Sequence, residues 1–253
     1  MKAALLRPAL ARVAALILCL VAIVVVGLVL YFGTPSGAVM LEAKAALVSD
    51  NVVHVSRGRW IVFAPASKTV TSGVIFYPGG RVAPEAYAPL ARTLAESGSL
   101  AVIVPMPLNL AVLDADAATA VIVAYPQVAT WVIAGHSLGG SMAARYAHDN
   151  PERVDGLVML AAYPEAHLDF RDQALAVATV YGDRDGLATL EEVENSFLQL
   201  PTDAMKILIK GGNHAGFGWY GEQEGDHPAQ ISRDVQQEQV ISAFLSLMRE
   251  AGK

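Results

Sequence analysis

The chain has 253 residues but only one cysteine, Cys19, so it cannot form an intramolecular disulfide. Cys19 lies in the middle of an apolar run and follows Leu18, where a lipid-attachment site would carry a small residue. We therefore interpret Cys19 as an apolar side chain of that run. No other cysteine is present to act as a nucleophile.

The sequence also lacks a glycine-rich Walker loop and a dinucleotide-binding fingerprint, so we expect no cofactor. Positive charge is scarce: the formal net charge is −6, and removing the three positive residues of the first twelve leaves −9 for the remainder. A domain of that charge repels nucleic acid, and we expect no nucleic-acid partner. The acidic stretch 222–227 lacks the ligand spacing of metal motifs, so we predict a solvated loop and no metal site there.

One long apolar run stands out near the N-terminus. Residues 13–32 carry no charge, and twenty helical residues at about 1.5 Å each cross a hydrocarbon core of roughly 30 Å. Lys2, Arg7 and Arg12 precede the run, and the next positive residue is Lys44. The positive-inside rule then predicts a cytoplasmic N-terminus and an extracytoplasmic remainder.

We therefore divide the chain into a basic cytoplasmic leader (1–12), a transmembrane anchor (13–32), a linker (33–51) and one α/β domain (52–253). A cleaved signal peptide is the alternative, because Ser36-Gly37-Ala38 fits a small-x-small site. Cleavage there would release a secreted protein. Signal cores usually run about 7 to 15 apolar residues, and this run is longer, which favours the anchor.

Beyond residue 52, apolar runs typical of buried strands alternate with helical patterns. We predict strands within 52–63 (a pair), 74–78, 101–105, 130–134, 154–161, 175–181 and 205–209, and helices at 84–97, 114–124, 140–149, 189–198 and 231–250. Such alternation predicts a mostly parallel sheet with helices on both faces.

The most informative motif is Gly135-His136-Ser137-Leu138-Gly139, which directly follows a predicted buried strand and precedes a helix. A strand that passes into a helix through Gly-x-Ser-x-Gly is typical of a nucleophile elbow. The turn exposes the serine hydroxyl, and the flanking glycines leave room for the tight backbone. A serine nucleophile needs a base, and the base needs an orienting acid.

In this architecture the acid and then the base follow the serine along the chain. Asp183 and Asp185 lie just past the strand 175–181, and His214 lies just past the strand 205–209. We favour Asp185 because it is carried further over the sheet edge, while Asp183 is placed to close the turn. Asp183 remains the alternative acid.

The chain resembles the α/β-hydrolases, and within them the fifth group, whose members are similar to dienelactone hydrolases and carboxylesterases. The resemblance covers about residues 52 to 250. It is carried by Val74–Gly80, Pro84–Ala91, the elbow around Ser137, Gly182–Gly186 and Gly212–Ala215. It implies an α/β-hydrolase fold with Ser137 as nucleophile, Asp185 as acid and His214 as base.

The same geometry predicts an oxyanion hole. One donor is expected to be the backbone N–H of Leu138, after the nucleophile, and the other is expected from the loop after the strand 74–78, at Gly80 or Arg81. Many relatives carry His-Gly where this chain has Pro78-Gly79, and Pro78 has no N–H to donate.

The segment between the strand after the elbow helix and the acid-bearing strand has only twelve residues, 162–173. We therefore expect a minimal lid and an open site. The resulting prediction is a serine hydrolase that cleaves a carboxylic ester of a small-molecule acyl substrate. An amide, thioester or lactone is the alternative bond, and a non-catalytic binding domain is a further alternative. The oligomeric state is not predicted.

Overall fold

The computed structural model of the chain describes residues 2–66 and 69–252. Met1 of the predicted leader, and Ser67, Lys68 and Lys253 of the predicted domain, lie outside the described residues, as do the side chains of residues 2–11 and 13. The predicted α/β fold is confirmed: one sheet of eight strands is flanked by helices.

The strands carry the apolar runs of the sequence. They are β1 (Val53–Arg57), β2 (Ile61–Pro65), β3 (Ser72–Tyr77), β4 (Leu100–Ile103), β5 (Thr130–His136), β6 (Gly156–Leu160), β7 (Ala176–Gly182) and β8 (Met205–Ile209). Their order in the sheet is β1-β2-β4-β3-β5-β6-β7-β8. The β1–β2 and β2–β4 pairs are antiparallel, and the other neighbours are parallel. The carboxyl ends of β3 to β8 therefore meet at one edge, where α/β sheets place their sites.

Helices cover both faces of the sheet. They are α1 (Lys2–Gly33), α2 (Leu41–Ala46), α3 (Ala88–Glu96), α4 (Ala117–Ala124), α5 (Leu138–Asp149), α6 (Leu190–Asn195) and α7 (Arg233–Ala251). Apolar side chains of α3 and α7 pack in one core, and those of α4 and α5 pack in a second core on the other face. β4 and β6 are buried at every position, as expected of parallel strands covered on both sides.

The N-terminal helix and the segment after it differ in their relation to the domain. Within α1, the span Ala14–Gly33 is long and apolar enough to cross a membrane and none of it is buried inside the protein. The following segment was expected to be a linker over 33–51, and it contains α2, whose Ala43 and Ala46 are buried. These alanines lie three residues apart and therefore on one face of the helix, so α2 packs onto the domain.

Further contacts hold this segment in place. The Met40 N–H donates to the carbonyl of Trp219 (3.0 Å). The Arg92 guanidinium donates to the carbonyl of Ala46 (2.9 Å) and to the Asp50 carboxylate (2.8 Å). The folded domain thus begins before residue 52.

Candidate active site

The turn between β5 and α5 places Ser137 at the edge of the sheet. Its backbone has φ 52° and ψ −126°, a combination that L-residues adopt only when the surrounding structure imposes it. A side chain at Gly135 would collide with the backbone of Gly139, and one at Gly139 would collide with the carbonyl of Tyr77. Only glycine fits at either position, so the sequence pattern is a requirement of this turn.

Two loops along the same edge bring Asp185 and His214 together. His214 Nδ1 lies 2.8 Å from Asp185 Oδ2 and 3.1 Å from Oδ1. Both residues are buried, with 5% of Asp185 and 1% of His214 exposed. Asp185 Oδ1 also accepts the N–H groups of Leu187 and Ala188, each at 2.8 Å. These bonds fix the carboxylate in the orientation that receives the imidazole N–H.

The hydrogen bond to Asp185 sets the tautomer of His214. An ionised carboxylate only accepts hydrogen bonds, so the ring proton lies on Nδ1 and the lone pair on Nε2. Among the residues that the structure describes, Nε2 has no hydrogen-bond partner. The ring of His136, the residue that precedes Ser137, lies 4.5 Å from the ring of His214. The candidate base, His214, is therefore packed against the residue that precedes Ser137 in the elbow.

Asp183, the alternative acid, has a different environment. Its Oδ1 accepts the N–H of Gly211 at 2.6 Å, which ties the loop after β7 to the loop after β8. Of the two aspartates, Asp185 is the one that contacts His214.

A third aspartate, which the sequence analysis assigned to a solvated loop, contacts both of these loops. Asp226 Oδ1 accepts N–H groups from Gly186 (3.2 Å), His214 (3.2 Å) and His227 (2.9 Å), and its Oδ2 accepts the N–H of Ala215 (2.9 Å). The expectation of a purely solvated loop is wrong for this residue, because one carboxylate joins the acid loop to the base loop. Nothing in the local sequence indicates this, since the partners are up to 40 residues away.

Polar side chains of α7 hold the base loop from the other side. Gln236 and Gln237 are buried, with 1% and 4% of each residue exposed. Gln236 exchanges hydrogen bonds with the backbone of Asn213 (3.1 and 2.7 Å), and Gln237 donates to the carbonyl of Gly216 (2.7 Å). Arg233 donates to the carbonyls of two further residues of this loop, Ala215 and Gly218. The sequence predicted a helix over 231–250 and missed this second role.

A buried chain of hydrogen bonds runs beneath the elbow. The Gly79 N–H donates to the Tyr87 hydroxyl oxygen (3.0 Å), and that hydroxyl pairs with His136 Nδ1 (2.8 Å). Burial raises the pKa of Tyr87. Burial, and then the neighbouring His214, hold the pKa of His136 well below its usual value of 6.5. Tyr87 therefore donates its proton to a neutral His136.

The backbone N–H groups around Ser137 differ in whether they already have an acceptor. The N–H of Leu138 opens α5 and has no acceptor within the helix. A side-chain carbon at Gly80 would lie 3.4 Å from Leu138 Cδ2, so the two residues are neighbours. The Arg81 N–H is donated to the carbonyl of Asn109 (2.9 Å), which corrects the expectation that Arg81 could donate to an oxyanion. Gly80 remains the candidate partner of Leu138 in an oxyanion hole.

A mostly parallel sheet, a serine elbow and a buried His–Asp pair at its carboxyl edge define an α/β-hydrolase fold. Residues 73–238 match the model of the alpha/beta hydrolase family, and the chain belongs to that family. The matched range includes Ser137, Asp185 and His214. Comparison with curated protein sequences finds no match.

The solved structures that share the fold include the following three. Alpha/beta hydrolase domain-containing protein 10 from mouse superimposes with a TM-score of 0.52 and 13% identity, over 78% of this chain and 98% of that one. The structure described as LipS and LipT, two metagenome-derived lipolytic enzymes, gives 0.53 and 14%, over 72% and 95%. MGS-MChE2, an alpha/beta hydrolase from the sediment metagenome of the Mar Chica lagoon, Morocco, gives 0.52 and 16%, over 64% and 90%. At these identities the likeness concerns the fold.

Proposed function

We propose that this protein is a serine hydrolase that cleaves a carboxylic ester by acyl transfer to water. Ser137 is the nucleophile, His214 the general base and Asp185 the acid that orients it. The observation that carries the proposal is the buried His214–Asp185 hydrogen bond of 2.8 Å beside a serine in an elbow conformation. One structural neighbour is described as a lipolytic enzyme, which agrees with this chemistry.

The mechanism follows from the tautomer of His214. Its Nε2 takes the proton of Ser137 as the serine oxygen attacks the acyl carbon, and Asp185 stabilises the imidazolium. The N–H groups of Leu138 and Gly80 stabilise the oxyanion. His214 then returns the proton to the leaving alkoxide. Water repeats the attack on the acyl-enzyme, which releases the acid and restores Ser137.

Labelling with a fluorophosphonate and turnover of short-chain esters test this proposal. Ser137→Ala is expected to abolish labelling and to lower turnover by at least about 10³-fold, because the nucleophile is lost. Ser141→Ala is the matched control: Ser141 lies four residues further along in α5, and its hydroxyl donates to the carbonyl of Tyr163 (2.7 Å). Equal turnover by the Ser137→Ala variant and the unmodified protein would refute the assignment.

The same constellation also attacks amides, thioesters and lactones, because the site chemistry is shared. A panel with one acyl group in each of these linkages assigns the bond, and an ester is expected to give the highest kcat/KM. If the folded protein neither labels nor turns over any member of the panel, a non-catalytic binding domain replaces the hydrolase.

The apolar span of α1 is proposed as an uncleaved anchor, with the N-terminus in the cytoplasm and the α/β domain outside. The protein is then expected to stay in membranes after carbonate washing, with a mature N-terminus that precedes Val13. External protease is expected to digest the domain in intact cells, or in spheroplasts where an outer membrane is present. A soluble mature protein that begins at Val39 would show that the segment is a cleaved signal.

A further inference from the structure

The end of α1 is bound to a loop next to the candidate site. We call residues 107–113, which follow β4 and form two short 3-10 helices, the rim segment. The Asn109 side chain donates to the last carbonyls of α1, those of Phe32 (3.3 Å) and Gly33 (3.1 Å). Leu108 Cδ2 lies 3.7 Å from the position of a side-chain carbon at Gly33. The rim segment therefore contacts the end of α1 directly.

The length of the apolar span fixes where this contact lies relative to a bilayer. Ala14–Gly33 has 20 residues, and at about 1.5 Å per residue they cover the roughly 30 Å of a hydrocarbon core. An anchor that fills the core therefore ends at the core boundary with Gly33. Leu108 and Asn109, which contact Gly33, then lie at that boundary too.

The loop after β3 is attached to the same helix end. The Arg81 guanidinium carbon lies 3.8 Å from the centre of the Tyr31 ring, and the Ser36 N–H donates to the carbonyl of Arg81 (2.7 Å). Tyr31 lies at the end of the span, where aromatic rings commonly mark the membrane interface. Gly80, the candidate oxyanion donor, precedes Arg81 in the chain. The candidate oxyanion donor is thus adjacent in sequence to a residue that contacts the end of α1.

The rim segment presents apolar side chains outward. Leu108, Val112 and Leu113 are 37%, 49% and 53% exposed. Val112 is three residues from Asn109, which limits its distance from the boundary to about 10 Å. Apolar side chains grouped this close to a helix exit gain free energy by entering the headgroup region. The neighbouring Asp114 and Asp116 are exposed, so the segment suits a zwitterionic surface better than an anionic one.

We infer that the rim segment lies in the bilayer interface and that the site takes carboxylic esters of amphiphiles that reside in that bilayer. The inference rests on the proposed serine hydrolase activity and on α1 as an anchor. Such a substrate keeps its chains in the membrane and presents its ester bond at the level of Gly80 and Leu138. The short lid segment over residues 162–173 does not need to enclose it.

Depth measurements test the surface without any turnover. A nitroxide is attached at Val112→Cys in a Cys19→Ala background, with the full chain in phosphatidylcholine vesicles. The matched control is a nitroxide at Leu198→Cys; Leu198 is 82% exposed and lies in the connection between α6 and β8, outside the rim segment. Oxygen, which concentrates in lipid, is expected to relax the label at residue 112 more than an aqueous nickel chelate does. The label at residue 198 is expected to show the reverse. Equal behaviour at the two positions overturns the inference.

Turnover tests the substrate class. Val112→Glu combined with Leu113→Glu is assayed in the same vesicles on monooleoylglycerol, which partitions into the bilayer, and on a water-soluble butyrate ester. The ratio of kcat/KM for monooleoylglycerol to that for the butyrate ester is expected to fall at least about tenfold, since a Val and a Leu can no longer be buried in the interface. Leu198→Glu is expected to leave the ratio unchanged.

The two proposals fail in different ways. If Ser137 is not labelled by a fluorophosphonate and the unmodified protein turns over neither ester, the hydrolase proposal fails and the nitroxide result alone decides the surface. If both esters are turned over and the double variant leaves their ratio unchanged, the membrane-substrate inference fails while the hydrolase stands.

Discussion

The two sides of Ser137 are built in different ways. On one side, the loops with Asp185 and His214 are held inside the domain by Asp226 and by the polar face of α7. On the other side, the loop with Gly80 and Arg81 contacts the rim segment and the end of α1. The first side uses buried carboxylate and amide hydrogen bonds, and the second uses a contact with the end of α1, whose span Ala14–Gly33 is not buried.

The two sides are therefore expected to have different roles: one positions the groups that react, and the other determines which substrates reach them. Hydrogen bonds that are buried and linked to one another hold catalytic groups within a narrow range of geometry. Under the proposal that α1 is an anchor, a contact with its end places the site relative to the membrane surface. We call the side with Asp185 and His214 the acid–base side, and the side with Gly80 and Arg81 the anchor side. Changes on the acid–base side are therefore expected to affect the turnover of every substrate alike. The effect of changes on the anchor side is expected to depend on whether the substrate resides in the membrane or in water.

The largest effect is expected on the acid–base side. Asp185→Asn keeps the shape of the side chain but favours the wrong tautomer of His214, so kcat is expected to fall by about 10³- to 10⁴-fold on soluble and membrane esters alike. Asp183→Asn is the matched control, and its expected cost is about 1 to 2 kcal/mol of stability through the weakened bond to Gly211. Steady-state kinetics and urea unfolding measure both. A larger loss of kcat in Asp183→Asn would transfer the acid role to Asp183.

Two truncations test how far the anchor side depends on α1. Removing residues 1–33 is expected to leave a soluble domain that still turns over a butyrate ester, because within the described residues the hydrogen bonds of Asp185, His214 and Asp226 do not involve α1. Removing residues 1–51 also deletes α2, with its buried Ala43 and Ala46, and the partners of Arg92. We expect that deletion to lower the free energy of unfolding by about 3 kcal/mol relative to the shorter one. Equal urea midpoints for the two proteins would show that residues 34–51 behave as a free linker.

Asp226 connects the loop that carries Asp185 to the loop that carries His214. Asp226→Asn replaces an acceptor oxygen by an NH₂ group that faces backbone N–H donors, and the expected loss of stability is about 2 kcal/mol. A fall in kcat of about tenfold is expected as well, because the two loops lose the hydrogen bonds that hold them to one carboxylate. Glu224→Gln, at an exposed position of the same loop, is the control and is expected to change neither quantity. A normal kcat in Asp226→Asn would show that α7 alone positions His214.

The sequence predicted what depends on local pattern. The apolar runs of β3 to β8 and the Gly135–Gly139 turn follow from burial and steric limits that act over a few residues, and the eight-stranded sheet agrees with them. Ser137, Asp185 and His214 could be proposed because each follows a strand in a fixed order along the chain. The exclusion of Arg81 as a donor could not be predicted, since it depends on a hydrogen bond to Asn109.

Contacts between distant segments were missed for the same reason. Asp226 has the sequence context of a solvated loop, and only the folded chain brings Gly186 and His214 to it. The buried Gln236 and Gln237 interrupt the apolar pattern of α7 without indicating what they bind. The packing of α2 depends on two alanines, whose small side chains give little periodic signal.

The smallest effect is expected at His136, which contacts both sides of the site. Its Nδ1 forms a hydrogen bond with the Tyr87 hydroxyl, which in turn accepts the N–H of Gly79. Its ring packs on the ring of His214. Because the folded state holds the pKa of His136 below 6.5, only the unfolded state takes up this proton as the pH falls through 6.5. Stability from neutral His136 is therefore present at pH 7.5 and is reduced by about 1 kcal/mol at pH 5.5. His136→Asn keeps an acceptor for Tyr87 and removes the titration. Urea unfolding at the two pH values is expected to show a larger loss for the unmodified protein than for His136→Asn, by that amount. Parallel losses would mean that His136 is protonated in the fold, and the buried link between the two sides would then carry a charge.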